Sequence, residues 1–409
     1  MSTESTDSLP AARAFLKPRK AMPFFSRHPW VFESAIASVE TDDGLEPPPG
    51  TPVELLSAEG EFVAHGLWNP NSIIRIRLYS WEQQRGVNAA LLQQKVATAV
   101  ALRSTAFDLT SPQTGCRLVF SEGDGLSGLV VDSYGGFLVV QFTSLALFQY
   151  RAAILETLQA AVSPRGIWLR TEKGMREAEG LDSTDGLVAG VDPPRPLMIT
   201  EHGISYAVDI QEGQKTGCYL DQRDNRVAAA KFLNGASVLD AFCFSGGFGI
   251  TALKHGATQV TAIDSSAAAI ELATANAAAN GVADRIEFRR NDARSELESM
   301  VEAGTQFDAV ILDPPKLART RGGVSRARKG YQRFNQLGVR VLKPGGILVT
   351  CSCSGHVSRA DFVSMLADVA RATRRDIQIL EQHGHPCDHP ISVSCPESEY
   401  LKMMICRVL

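Results

Sequence analysis

The stretch SVLDAFCFSGGFGITALKHGATQVTAID, residues 237–264, decides the fold. A short apolar run stops just after Asp240, Ser245-Gly246-Gly247 opens a helical pattern, and a second apolar run ends on Asp264. Two runs of strand length joined through a helix predict a βαβ unit with parallel strands, because a tight turn can only return the chain antiparallel. The glycines let the backbone approach a bound molecule with no Cβ in the way, and a helix N-terminus follows them. Asp264, at the end of the second strand, stands where an acid accepts both hydroxyls of a ribose. Gly247-x-Gly249-x-x-Ala252 also satisfies the loose dinucleotide fingerprint, so this unit alone does not single out one cofactor.

Toward the C-terminus the same rhythm repeats. SSAAAIELATANAAANG (265–281) reads as a helix with a Ser N-cap and Gly281 past its end, and IEFRR, ARSELESMVEAG, FDAVILD, a basic helix ending near Leu342, GILVTCS, FVSMLADVARAT, DIQILEQHG and YLKMMICRVL follow. The alternation implies a mostly parallel sheet with helices on both faces and ligands beyond the carboxyl ends of its strands. Asp292, after the third strand, is placed to bond an adenine amino group. Asp313-Pro314-Pro315-Lys316 ends the fourth strand, where two prolines forbid both strand continuation and immediate helix entry. The result is a stiff, extended turn suited to reading the edge of a planar base swung out of its stack.

The fifth strand ends in Thr350-Cys351-Ser352-Cys353-Ser354-Gly355. A cysteine at a polar, Gly-terminated strand end facing a cofactor crevice is a candidate nucleophile. C5 of cytosine attacks a methyl donor only after a thiolate has added at C6, an acid near N3 such as Asp313 assists that addition, and a base must then remove the C5 proton. Cys351 and Cys353 lie two apart and point to one side of a strand, so spacing does not choose between them. His383, His385, Cys387 and His389, with Cys395 beyond, match no common zinc spacing, and no metal is expected.

Upstream, VDPPRP (191–196) marks a boundary. From about residue 88 two helical stretches flank RLVFSEGDGLSGLVVDSYGGFLVVQF, which reads as a hairpin-rich sheet. Residues from about 10 to 82 alternate short apolar runs with turn signals, a small β-rich barrel or sheet. The chain has 409 residues, 44% of them hydrophobic, enough for two or three globular domains. No apolar run approaches a bilayer span, and the N-terminus lacks the pattern of a secretory signal, so a cytoplasmic protein that touches no membrane is expected. Its eight cysteines are then thiols rather than a disulfide framework. A net charge of −4 excludes a protein that holds nucleic acid by bulk positive charge; the run from Lys316 to Arg333, with seven Lys or Arg and no acid, allows a local contact.

HPWVF (28–32), GLWNPNSIIRIR (66–77), EGDGLSGLVVDSY (122–134), EGQKTGCYLDQRDNR (212–226), DPPK and SCSG together resemble the large-subunit ribosomal RNA 5-methylcytosine methyltransferase family. The resemblance implies an α/β, Rossmann-like class I methyltransferase domain with a mixed, mostly parallel sheet over 196–409. It implies also an N-terminal β-rich PUA-type RNA-binding domain over 10–84 and a central α+β domain over 85–195. By the same likeness S-adenosylmethionine is the methyl donor, lined by Asp240, Ser245, Gly246, Gly247, Asp264 and Asp292. Cys353 becomes the nucleophile with Asp313 beside it. Lys215, Thr216 and Arg223 sit at the pocket mouth with Pro314, Pro315 and Lys316 on the substrate side. Arg19, Lys20, Arg27, Arg75 and Arg77 beside Trp30 and Trp68 suit an RNA-gripping face of the first domain. Expected partners are large-subunit ribosomal RNA and, as one option, a second copy of the chain. Three other readings compete: a same-fold enzyme methylating a base nitrogen, which needs no cysteine; a non-catalytic RNA-binding assembly factor, which needs none of these acids; and a dinucleotide oxidoreductase, which leaves the Pro-Pro turn unexplained.

Overall fold

The computed structural model describes residues 11–409 apart from 172–173, 212–216 and 319. They form two compact units, each assembled from separated stretches of chain. The first takes the chain up to Leu197 with Val208–Cys218 and Cys387–Ser398; the second takes Met198–Ala207, Tyr219–Pro386 and Glu399–Leu409.

The first unit holds two sheets. Six strands make one, in spatial order Trp30–Phe32, Ile74–Ser80, Phe62–Trp68, Pro52–Leu56, Ala12–Leu16 and Ile36–Thr41. Alternation along Ala12–Leu16 turns Ala12, Ala14 and Leu16 into a core with Val31, Val53, Leu55 and Ile76. Five strands between Gly115 and Gly190 make the other sheet, which shares a core with the helices Ala89–Ser104 and Arg151–Val162. Two residues expected on the RNA face are interior. Trp68 is buried, and the Arg77 side chain pairs with Glu179 at 3.0 Å and donates to Ser127 Oγ. Arg75 and Arg77 share a strand face, but Glu179 and Ser127 cover the second of them.

In the second unit, α1 (Arg223–Ala230) precedes β1 (Ser237–Ala241), α2 (Gly247–Lys254), β2 (Gln259–Asp264), α3 (Ala267–Ala279) and β3 (Ile286–Arg290). Then come α4 (Ala293–Glu302), β4 (Phe307–Leu312), α5 (Val324–Arg340), β5 (Leu342–Ser352), α6 (Arg359–Thr373), β6 (Ile377–His383) and β7 (Lys402–Val408). The seven strands lie in the order β3-β2-β1-β4-β5-β7-β6. Strands β1 to β5 are parallel, and β7 runs antiparallel between β5 and β6. Local chemistry sets the helix starts: Ser266 caps α3, and Ser358 with Asp361 forms a capping box on α6. Leu239 and Leu312 pack with Leu337 of α5 and with Phe362 and Met365 of α6 in one core. Strand order reverses between β1 and β4, which opens a crevice at the carboxyl ends of those strands. Among the described residues no helix is long and apolar enough to cross a membrane.

Candidate active site

The turn after β1 is built on unusual backbone. Phe242 and Phe244 take positive φ values of 69° and 47°, and Gly246 follows at 79°. Non-glycine residues rarely occupy this region, so the conformation persists because its surroundings over-determine it. A Cβ on Gly247 would stand 2.7 Å from Arg226 Nε, and one on Gly249 would stand 3.2 Å from Asp240 Oδ2. Ser245 is buried, and its carbonyl accepts from Asn276 Nδ2 at 3.0 Å. Asp240 is 1% exposed and accepts the Gly249 N–H at Oδ2, 2.9 Å, while its Oδ1 is buried with no partner among the described residues. Burial pushes its carboxyl up to about 7; the Gly249 N–H opposes this, and the nearby carboxylates of Asp313 and Asp264 add to it.

Asp264 accepts the Phe244 N–H at 3.0 Å with Oδ2 and the Ser266 N–H at 2.9 Å with Oδ1, so it fixes the turn while leaving lone pairs on both oxygens. Asp292 is exposed and serves as the N-cap of α4, with Oδ1 accepting from Ser295 N at 3.0 Å. Asp240 and Asp264 lie at the ends of β1 and β2, and Asp292 comes just after β3.

Asp313 follows β4 directly and accepts from Gln222 Nε2 at 3.0 Å. Pro314 is buried, whereas Pro315 and Lys316 are exposed. The two cysteines differ sharply. Cys351 lies within β5, opposite Met403, fully buried, and burial holds its thiol well above the usual range. Cys353 lies one residue beyond the strand, half-buried, with its Sγ 4.0 Å from the Pro314 carbonyl oxygen. Ser354 ties this segment to the Pro-Pro turn: its Oγ accepts the Ala318 N–H at 3.1 Å and meets the Tyr331 hydroxyl at 2.9 Å. Arg223 is buried at the start of α1. Lys215 and Thr216 lie outside the described residues.

Several neighbours were not expected as site residues, although Tyr219, Asp221 and Arg226 lie in the 212–226 motif. Tyr219 packs edge-on against Phe244 at 5.0 Å, and Tyr400 donates to Asp221 Oδ2 at 2.6 Å. Arg226 pairs with Glu201 and donates to the Tyr219 carbonyl. Lys402 reaches the Ser354 and Tyr400 carbonyls. The DQRDNR run from Asp221 to Arg226 was the available signal: polar residues so dense at a helix start are buried only for a reason.

The basic run divides by partner. Arg328 pairs with Asp368 and Arg333 with Glu298, each at 2.7 Å, while Arg326 and Lys329 are exposed. The histidines do not converge. His383 meets Glu381, His385 accepts the Leu401 N–H, and His389 packs against Phe120 in the first unit.

A PUA-like domain model matches residues 15–81, and an S-adenosylmethionine-dependent methyltransferase model matches residues 155–401. The chain is 39% identical to the ribosomal RNA large subunit methyltransferase I of Photobacterium profundum, over 93% of this chain and 96% of that one. It is 37% identical to the protein of the same name from Shewanella denitrificans, over 97% and 100%. A methyltransferase structure in complex with S-adenosylhomocysteine superposes with a TM-score of 0.82 at 20% identity, covering 97% of this chain and 99% of that one, a likeness of fold. With a Rossmann-like class I sheet, a PUA-like domain and relatives this close along nearly its whole length, the chain belongs to the S-adenosylmethionine-dependent methyltransferases, in the ribosomal RNA large subunit methyltransferase I family, and its cofactor is S-adenosylmethionine.

Proposed function

We propose that the chain methylates C5 of a cytosine in large-subunit ribosomal RNA through a covalent adduct between Cys353 and C6. The relatives' names supply the RNA, and the PUA-like domain agrees with it. The observation that carries the choice of chemistry is the pair of cysteines. Cys351 is sealed inside β5, and Cys353 stands half-buried where the β5 end meets the turn that carries Asp313.

The cradle fits the cofactor. Asp240 Oδ1, buried and without a partner among the described residues, is satisfied by an ammonium group, and Asp264 retains acceptor capacity for a ribose diol. Ser245, Gly246 and Gly247 let the backbone close on the same molecule, with Asp292 at its adenine end. When bound, S-adenosylmethionine supplies a methyl group made electrophilic by its sulfonium. The protein's own residues prepare the base. The Cys353 thiolate forms a bond to C6, the C5–C6 π pair shifts to C4–C5, and the C4–N3 π pair goes to N3, which leaves an enamine. Asp313, oriented by Gln222, donates a proton toward N3 as negative charge develops there and recovers it when the adduct collapses. C5 is thereby made nucleophilic. After C5 has been methylated, a base takes its proton, the C5–C6 double bond re-forms and the Cys353 sulfur leaves as thiolate. Pro314, Pro315 and Lys316 hold the edge of the base, and Lys215, Thr216 and Arg223 serve the mouth of the pocket.

RNA carrying 5-fluorocytosine tests the adduct, because fluorine cannot leave as a proton and elimination stalls. Wild-type protein should give a complex with this RNA that survives denaturing electrophoresis. Cys353→Ala should abolish both that complex and turnover, and Cys351→Ala should retain both in substantial part. A double Cys→Ala variant with full activity would overturn the covalent route and put methylation of a base nitrogen in its place.

A further inference from the structure

The reaction just described does not use the buried cation Lys402. Lys402 opens β7 at 1% exposure, and its Nζ donates to the Ser354 carbonyl at 2.8 Å and to the Tyr400 carbonyl at 2.9 Å. Lysine is almost never fully buried unless its charge is used, and an apolar side chain of similar length would spare the fold the desolvation cost. Its place is set by register: Lys402 pairs with Ser352, the last residue of β5, and Cys353 is the next residue.

We propose that Lys402 is the positioning residue of the nucleophile, clamping the Cys353–Ser354 segment through the Ser354 carbonyl and stabilising the Cys353 thiolate with its positive charge. The inference rests on Cys353 being the reacting cysteine. Two anchoring carbonyls hold the ammonium in one place, so its charge acts on the neighbouring sulfur without reorganisation. Burial pulls Lys402 down to about 8, which leaves it mostly cationic at neutral pH; Glu399 and Cys353 push it up, and Arg359 and Lys316 push it down. Linkage makes the effect mutual, since a Cys353 thiolate that favours the charged lysine is favoured to the same extent by that lysine. Among the described residues Tyr219, Tyr331 and Cys351 also interact with Cys353, and burial raises all three and keeps them neutral. Asp313 precedes Pro314, whose carbonyl oxygen lies 4.0 Å from the Cys353 sulfur, and is the acid on that side.

The test is the pH dependence of Cys353 alkylation by iodoacetamide in the full-length protein, read by mass spectrometry, with exposed Cys387 as the internal reference. In Lys402→Met and Lys402→Gln the Cys353 midpoint should rise by about one pH unit while that of Cys387 stays fixed. Lys402→Arg, which keeps the charge, should bring it most of the way back. An unmoved midpoint in neutral variants that still bind S-adenosylmethionine and unfold at the wild-type temperature would overturn the proposal. Should those variants fail to fold, the reciprocal measurement leaves Lys402 in place: Cys353→Ser should lower the midpoint of the Lys402 Nζ titration followed by NMR, and no change there refutes the coupling. Full turnover in Cys353→Ala would remove the reaction scheme, yet the alkylation midpoints would still report whether Lys402 acts on this sulfur.

Discussion

Asp240 is pulled in opposite directions by its surroundings and its task. Its carboxyl stands at about 7 in the free protein, against 3.8 for the ordinary group, because burial penalises the charge. The folded state therefore keeps a proton that the unfolded chain releases near pH 4. Stability from this group falls as pH rises from about 4 to about 7 and stays low above that. Asp240→Asn removes the buried charge, so the free variant should unfold at a higher temperature than wild type at pH 8 and at a similar temperature below pH 4, a gain on the order of a few kcal/mol at the higher pH. With cofactor present the order should reverse, since an amide offers an ammonium no negative charge; calorimetry should read affinity weaker by roughly tenfold or more. Equal affinity in the variant would remove Asp240 from the cofactor's ammonium end. At this scale the sequence identifies acids at strand ends and two cysteines near another. Which cysteine is sealed depends on β5 ending at Ser352, and no spacing between the cysteines encodes that.

Helix α5 shows how a charge run resolves into faces. Arg328 and Arg333 are spent on acids of α6 and α4, and Arg326 and Lys329 are exposed. Changing Arg326 and Lys329 together to Gln should weaken RNA binding and lower the magnitude of its salt slope by about one to two, with thermal unfolding unchanged. Arg328→Gln or Arg333→Gln should leave RNA affinity nearly intact and lower stability by at most about 1 kcal/mol each, as exposed pairs do. Similar RNA losses in all three variants would mean the ion pairs open to meet RNA. The sequence shows that the run is basic and helical. Its partition needs Glu298 and Asp368, which come from two other helices. The same reason removed Arg77 from the expected RNA face: its strand alternation is readable, but the Glu179 that covers it lies a hundred residues downstream.

At the scale of the molecule the chain crosses between its units near the C-terminus. Cys387–Ser398 belongs to the first unit, where Asp388 accepts the Arg117 N–H at 2.9 Å and its carbonyl accepts from the buried Arg103 at 2.8 Å. Asp388→Ala removes this hydrogen bond to a half-buried amide and should cost the first unit about 1 kcal/mol, read as a lower unfolding midpoint in urea. Ending the chain at Pro386 removes β7, the strand that joins β5 to β6, and should abolish S-adenosylmethionine binding; native affinity in the shortened protein would show that the sheet closes without it. The alternation of short apolar runs and capped helices determined the α/β class, and turn-rich runs determined the β-rich N-terminal part, because period and capping are properties of neighbouring residues. Tertiary structure alone decided the order β3-β2-β1-β4-β5-β7-β6, the burial of Cys351 beside an accessible Cys353, and the arrival of Lys402 at the Ser354 carbonyl, one residue past that cysteine. Exposure and charge at a site are set by atoms that strand register brings from far along the chain, and no local pattern contains them.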